Sequence, residues 1–287
     1  MATFGFKGLR GRMLIMTSTQ EINPNQSVAL LKALHILTRD GKLNQDSRRK
    51  LKQVYHLVNF IAPLFEEIKK SQENPLLVDH GAGKSYLGFI LYDLLLKATN
   101  TGQVIGIETR ADLVEKSKNL AMECEFSRMD FQHLSVAESI TSSTIPEKVD
   151  IVTALHACNT ATDDAITFGL KKQAKFMVLV PCCQAEVAEV MRKNKADSLS
   201  KTPVSELWRH PIHTRELGSH LTNVLRCLQL EAHGYSVTVT ELIGWEHSMK
   251  NELIIAKYSG QPRKNARERL LAILETFHLQ ALTSRFT

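Results

Sequence analysis

The chain has 287 residues, with 36 Lys and Arg against 30 Asp and Glu, a net charge of +6, and 43% hydrophobic residues. These proportions belong to an ordinary globular protein, one large domain or a domain with an extension, and exclude a fibrous or low-complexity chain. No uncharged apolar run approaches the roughly eighteen residues of a membrane-spanning helix, so no membrane association is expected.

At the N-terminus, Lys7, Arg10 and Arg12 precede only the short apolar stretch Met13–Met16, too little for the centre of a secretory signal. The five cysteines, Cys124, Cys158, Cys182, Cys183 and Cys227, are odd in number and unevenly spaced. That pattern argues against a disulfide framework and for a reduced, cytoplasmic setting. The positive surplus suits a polyanionic partner, nucleic acid above all, although no long basic run or repeat accompanies it.

From Asn25 to about Lys70 the sequence reads as helical. Val28, Leu31, Leu34 and Leu37 form one stripe, and Asp40-Gly41 breaks it. A second stripe runs through Leu51, Val54, Leu57, Val58, Ile61, Leu64 and Phe65. Its opposite face carries Arg48, Arg49, Lys50 and Lys52, which read as a solvated face before they read as a nucleic-acid contact.

From Pro75 onward short apolar runs alternate with helical stretches. The runs are Leu76–Val78, Val104–Ile107, the neighbourhood of Phe131, Ile151–Leu155 and Phe176–Val180. Short continuous runs suit strands buried on both faces of a parallel sheet covered by helices. Tyr235–Ile243 and Glu252–Tyr258 are too close together for an intervening helix, so they are expected to pair as an antiparallel hairpin. Arg192 to His220 is polar and basic, interrupted by Trp208 and Pro211, and Leu217–Leu230 reads as core helix. A last amphipathic helix is expected from Arg263 to about Ala281. The expected fold is therefore α/β: a doubly wound, mostly parallel seven-stranded sheet with a terminal antiparallel hairpin, preceded by helices.

The turn Asp79-His80-Gly81-Ala82-Gly83-Lys84-Ser85 follows the first strand. Gly81 and Gly83 permit positive φ and a close ligand approach that a Cβ would obstruct. The spacing is too short for the phosphate pattern G-x-x-x-x-G-K-[ST]. Asp79 would repel a pyrophosphate and attract a cation such as the sulfonium and amine of S-adenosylmethionine. The next strand ends in Glu108, where an acid can accept both hydroxyls of a ribose. Asp79 and Glu108 are one β-α-β unit apart, the spacing of a shared nucleoside ligand. Ser135 or Val136, past the third strand, is expected near the adenine, and Leu155 ends the fourth strand beside the same ligand.

On the reaction side, His156, Cys158 and Asp163 follow the fourth strand, and Cys182 and Cys183 follow the fifth. Three arrangements fit them. His156 or Asp163 positions a hydroxyl or amine nucleophile and takes its proton during direct transfer. Alternatively, Cys158 or Cys182 adds covalently to a pyrimidine, its thiolate favoured by His156. In the third, the cysteines and His156 hold a metal, though adjacent Cys182 and Cys183 are a poor chelate spacing and no metal is expected. The three cysteines also suit plain packing of the sheet ends.

Asp79-His80-Gly81-Ala82-Gly83-Lys84, Leu155-His156-Ala157-Cys158-Asn159-Thr160-Ala161-Thr162-Asp163 and Pro181-Cys182-Cys183-Gln184 together resemble three motifs of one group of class I methyltransferases. The group includes the eukaryotic tRNA acceptor-stem 2′-O-methyltransferases and related proteins of unassigned substrate. Asn159 stands where that group usually has glycine, and Gln184 where its tRNA enzymes commonly have histidine. The resemblance implies S-adenosylmethionine as cofactor and RNA as substrate. The resemblance extends from about Arg48 to Tyr258, while the periodicities divide the chain into a helical extension (residues 1–72), a methyltransferase domain (73–260) and a basic C-terminal helix (261–287). The other readings are a small-molecule or protein methyltransferase, or an inactive cofactor-binding partner protein.

Overall fold

The computed structural model describes residues 21–155, 159–181, 184–194, 203–242 and 252–287. Seven strands form one sheet: β1 (Leu76–His80), β2 (Gln103–Glu108), β3 (Met129–His133), β4 (Ile151–Leu155), β5 (Phe176–Val180), β6 (Tyr235–Glu241) and β7 (Glu252–Tyr258). Their order is β3-β2-β1-β4-β5-β7-β6. The first five strands are parallel, and β7 runs antiparallel to both β5 and β6. The expected strands and closing hairpin are all present, and β7 inserts itself between β5 and β6. Strand order reverses at β1, which has β2 on one side and β4 on the other. In a doubly wound sheet that reversal opens a ligand crevice at the carboxyl ends of the strands.

One face of the sheet is covered by α1 (Val28–Ala33), α2 (Gln45–Lys69), α3 (Tyr86–Leu91) and α4 (Ala111–Glu123). Leu57, Ile61 and Phe65 of α2 share a single apolar core with Phe89 of α3 and with Leu77, Phe131 and Val178 of the sheet. Asn44 caps α2 by accepting the Ser47 amide at 2.8 Å. The first helical stripe is shorter than its spacing suggests. His35 takes a left-handed φ of 56° and α1 stops at Ala33, while Leu37 pairs with Leu43 in an isolated bridge. Val28, assigned to the buried stripe by periodicity, is half exposed.

The other face carries α5 (Val136–Thr141), α6 (Ala161–Lys171) and α8 (Pro211–Ala232), where Ile166 and Phe168 pack with Val78, Val152 and Leu230. A third cluster joins α7 (Glu186–Lys193) and α8 to α9 (Ala266–Thr276) and α10 (Thr283–Phe286) through Val187, Leu225, Leu270 and Phe286. Trp208, read as an interruption in a polar segment, is buried there against Phe277. Pro211 opens α8 at its first turn, where a missing N–H costs nothing. The C-terminal basic stretch is largely tied down: Arg263 and Arg269 both pair with Glu231 of α8. No described helix is long and apolar enough to cross a membrane.

Candidate active site

The site is built on the carboxyl ends of β1, β2 and β4. Asp79 is 3% exposed, and its neighbours across the sheet are Gly106 on β2 and Thr153 on β4. Thr153 donates its hydroxyl to Asp79 Oδ1 at 2.8 Å, and Ser85 donates to Oδ2 at 3.0 Å. Among the described residues no cationic side chain pairs with Asp79. Burial therefore dominates, and although the two hydroxyls oppose it, the carboxyl is pushed up to about 6.

Gly81 and Gly83 hold φ of 67° and 57°, as the turn requires, and the Ala82 amide closes it by donating to the Ile107 carbonyl at 2.9 Å. Helix α3 begins at Tyr86. Ser85 itself is the left-handed residue preceding the helix, and its hydroxyl is turned to Asp79 rather than to the helix amides. Gly88 lets this helix approach: a Cβ there would lie 2.4 Å from Ser85 Oγ and 3.5 Å from Asp79 Oδ2.

His80 points to the opposite face, 5.3 Å from the Phe168 ring, with both ring nitrogens buried and without a hydrogen-bond partner. Burial, only partly offset by the Glu108 charge, pushes its imidazole down to about 4, so it is neutral at physiological pH.

Glu108 ends β2 beside the same turn. Its Oε2 accepts the Gly83 amide at 2.8 Å, which joins the glycine turn to the second acid directly. Its Oε1 accepts the amides of Thr109 and Arg110 at 2.9 and 3.1 Å, and the Arg110 guanidinium lies over both oxygens. Burial raises the Glu108 carboxyl, but these donors outweigh it and the group titrates below the usual range. The Leu134 amide donates to the Glu108 carbonyl at 3.3 Å and so brings the β3 exit alongside. There Ser135 caps α5 in a reciprocal box with Glu138, and Val136 is half-buried. Leu155 is half-buried at the end of β4, and Lys84 is exposed on the turn.

On the reaction side, His156, Cys158, Cys182 and Cys183 lie outside the described residues. Their flanks are described. Leu155 of β4 lies opposite Val180 of β5, so the two loops leave the sheet side by side. Asn159 holds a φ of 52°, a left-handed conformation in which asparagine is the usual substitute for glycine. That geometry accounts for Asn159 at a position where the resembling group has glycine.

Asp163 has a different environment from the one its expected role as proton acceptor requires. It is 4% exposed, and Arg226 of α8 grips it with Nε on Oδ1 and Nη2 on Oδ2, both at 2.7 Å. A carboxylate held by both oxygens in a buried bidentate ion pair is a poor acceptor for a substrate proton, so the geometry corrects Asp163 to a structural part. Thr153, Ser85 and Arg226 escaped the sequence reading. Thr153 sits in an apolar run, yet alternation places it on the face of Asp79. Arg226 had a legible signal: Asn223, Arg226 and Gln229 recur at helical spacing beside the leucines of α8.

Among the described residues around α7 and α8, three cations pair locally: Lys193 with Glu189, Arg209 with Glu206, and Arg215 with Glu216.

The profile of the family described as "Methyltransferase domain" matches residues 49–190, beginning inside α2. A bovine (Bos taurus) glutathione S-transferase C-terminal domain-containing protein is 27% identical over 235 residues, covering 76% of this chain and 34% of the relative. The chain thus spans about a third of the length of the mammalian relatives it matches. Among solved structures, magnesium protoporphyrin IX methyltransferase from Synechocystis with bound SAH is similar at 14% identity and a TM-score of 0.47, covering 80% of this chain and 94% of that one. A Podospora anserina methyltransferase with bound SAH is similar at 9% identity and a TM-score of 0.45, covering 82% and 88%. The strand order and closing hairpin match the layout expected from the sequence, and residues 49–190 are similar to the methyltransferase-domain family.

Proposed function

We propose that the chain binds S-adenosylmethionine across the ends of β1 and β2 and directs methyl transfer to an oxygen or nitrogen nucleophile of RNA. The observation that carries this reading is Asp79, a buried carboxyl with two hydroxyl partners and no described cation, beside a turn with positive φ at Gly81 and Gly83. A cationic ligand supplies the missing charge, and the donor set of Glu108 leaves its carboxylate ionised for ribose hydroxyls. Gly81, Ala82 and Gly83 line the approach, Lys84 stands at its rim, and Ser135, Val136 and Leu155 frame the adenosyl side.

Bound S-adenosylmethionine supplies an electrophilic methyl group on a sulfonium. Asp79 would hold the amino-acid end and Glu108 the ribose. Direct transfer breaks the sulfur–methyl bond, forms an oxygen– or nitrogen–methyl bond and releases one proton. His156 is proposed to take that proton, and Cys158, Cys182 and Cys183 belong in sequence to the same two loops after β4 and β5. The net charge of +6 supports a polyanionic substrate. The cytoplasm, where the thiols stay reduced, is the compartment this reading expects.

Local pairing of Arg209, Arg215 and Lys193 with acids favours a second reading, a small-molecule or protein acceptor. Calorimetry with S-adenosylmethionine tests the cofactor: no binding, or binding unchanged in Asp79→Ala, removes the proposal. Mass spectrometry of RNA nucleosides from a strain lacking the gene tests the substrate, and an unchanged profile selects the second reading.

A further inference from the structure

Three segments meet on α8 through one buried polar network. Arg226 is fully buried, and besides Asp163 it reaches the Asn159 carbonyl with Nη2 at 2.9 Å and Asn223 Oδ1 with Nη1 at 3.2 Å. Asn223 Oδ1 also accepts from Gln184 Nε2 at 3.0 Å, and Asn223 Nδ2 donates to Glu252 Oε2 at 2.7 Å. Ser219 donates to Gln184 Oε1 at 2.8 Å. The Ala185 amide donates to Asn159 Oδ1 at 3.3 Å and ties the β4 and β5 loops directly. Asn159 and Asp163 belong to the segment after β4, Gln184 to the loop after β5, and Glu252 opens β7.

Stability alone does not explain this arrangement. A buried ion pair is commonly replaceable by apolar side chains of similar volume without loss, because desolvating both charges offsets their attraction. A guanidinium fork aimed at a carboxylate, a carbonyl and an amide supplies fixed directions instead. It also fixes Asn159, whose left-handed backbone is held by bonds at both its carbonyl and its side chain.

We propose that Arg226 and Asn223 are positioning residues for methyl transfer: they clamp the β4 and β5 loops and the start of β7 to α8, so that the acceptor meets the methyl group in one orientation. The inference rests on the methyltransferase reading, because those two loops flank the methyl group in it. The network touches neither Asp79 nor Glu108, so it acts on transfer and not on cofactor binding. A displacement of about 1 Å in such a frame can cost up to about a hundredfold in rate.

The test uses the full chain with Asn223→Ala and Gln184→Ala, both of which leave the Arg226–Asp163 pair intact. Hydrogen exchange is followed in segments 159–164 and 184–188. Cofactor affinity is measured by calorimetry, and kcat and cofactor KM with S-adenosylmethionine and total RNA. Exchange is expected to accelerate in both segments and not in α3 or α4. Cofactor Kd and KM should stay within about twofold of wild type, while kcat falls about tenfold or more. Wild-type exchange in both segments overturns the proposal, as does a kcat loss matched by weaker cofactor binding. A wild-type protein that binds no S-adenosylmethionine, or labels no RNA, sinks the functional reading instead, and the exchange result then decides the clamp alone.

Discussion

Asp79 and Asp163 are both buried, 3% and 4% exposed, and the fold treats them in opposite ways. Asp163 receives a full guanidinium and becomes part of the frame. Asp79 receives two neutral hydroxyls, which satisfy its lone pairs but not its charge, and its carboxyl rises to about 6. A buried carboxyl with its counter-charge inside the chain is finished when the chain folds. One without it can take up a cation, the role proposed for Asp79.

The largest expected effect tests the finished pair. Arg226→Met leaves Asp163 buried and unpaired, which should cost about 3–5 kcal/mol in urea unfolding. Asp163→Leu combined with Arg226→Met should recover most of that loss. A single variant within about 1 kcal/mol of wild type would show that Asp163 is no more committed than Asp79.

Next in size is a pH effect within the turn. The folded state keeps the Asp79 proton between 3.8 and about 6, so its contribution to stability is present at low pH and is lost as pH rises through 6. His80 runs the other way: its folded value of about 4 lies below 6.5, so its contribution is present above 6.5 and is lost as pH falls through 4. The two nearly cancel across their shared window. In His80→Leu the Asp79 part stands alone, and unfolding free energy should fall by about 3 kcal/mol between pH 4 and pH 7, at 1.36 kcal/mol per unit. A flat profile in that variant would remove the uncompensated charge on Asp79.

Cofactor affinity offers a smaller, more specific readout. Because Asp79 must ionise to receive a cation, S-adenosylmethionine should bind about tenfold more weakly at pH 5 than at pH 7. Asp79→Asn should lose about tenfold or more in affinity at pH 7.5, with little remaining pH dependence. The smallest effect belongs to Arg110, whose exposed guanidinium covers Glu108 where ribose hydroxyls would bind. Arg110→Ala should tighten the cofactor by no more than about threefold, since exposed pairs contribute little. A loss of affinity would instead make Arg110 part of the ligand cradle.

These contrasts also mark what could be read from the chain. The five parallel strands and the hairpin were legible because continuous apolar runs and a short loop leave few alternatives. The turn at Asp79 and the acid at Glu108 were legible because both lie at strand ends, where the period of the run gives their place. Asp163 was misread. Its position after β4 fits a proton acceptor, and its actual partner lies on α8, 63 residues further along the chain.

The sequence alone determined the run of parallel strands, the closing hairpin and the place of Asp79 and Glu108 toward the ends of their strands, since each follows from local periodicity and backbone freedom. The tertiary structure decided which acid is compensated. Charge compensation depends on residues brought together across the sheet and from α8, and no spacing along the chain encodes that distance.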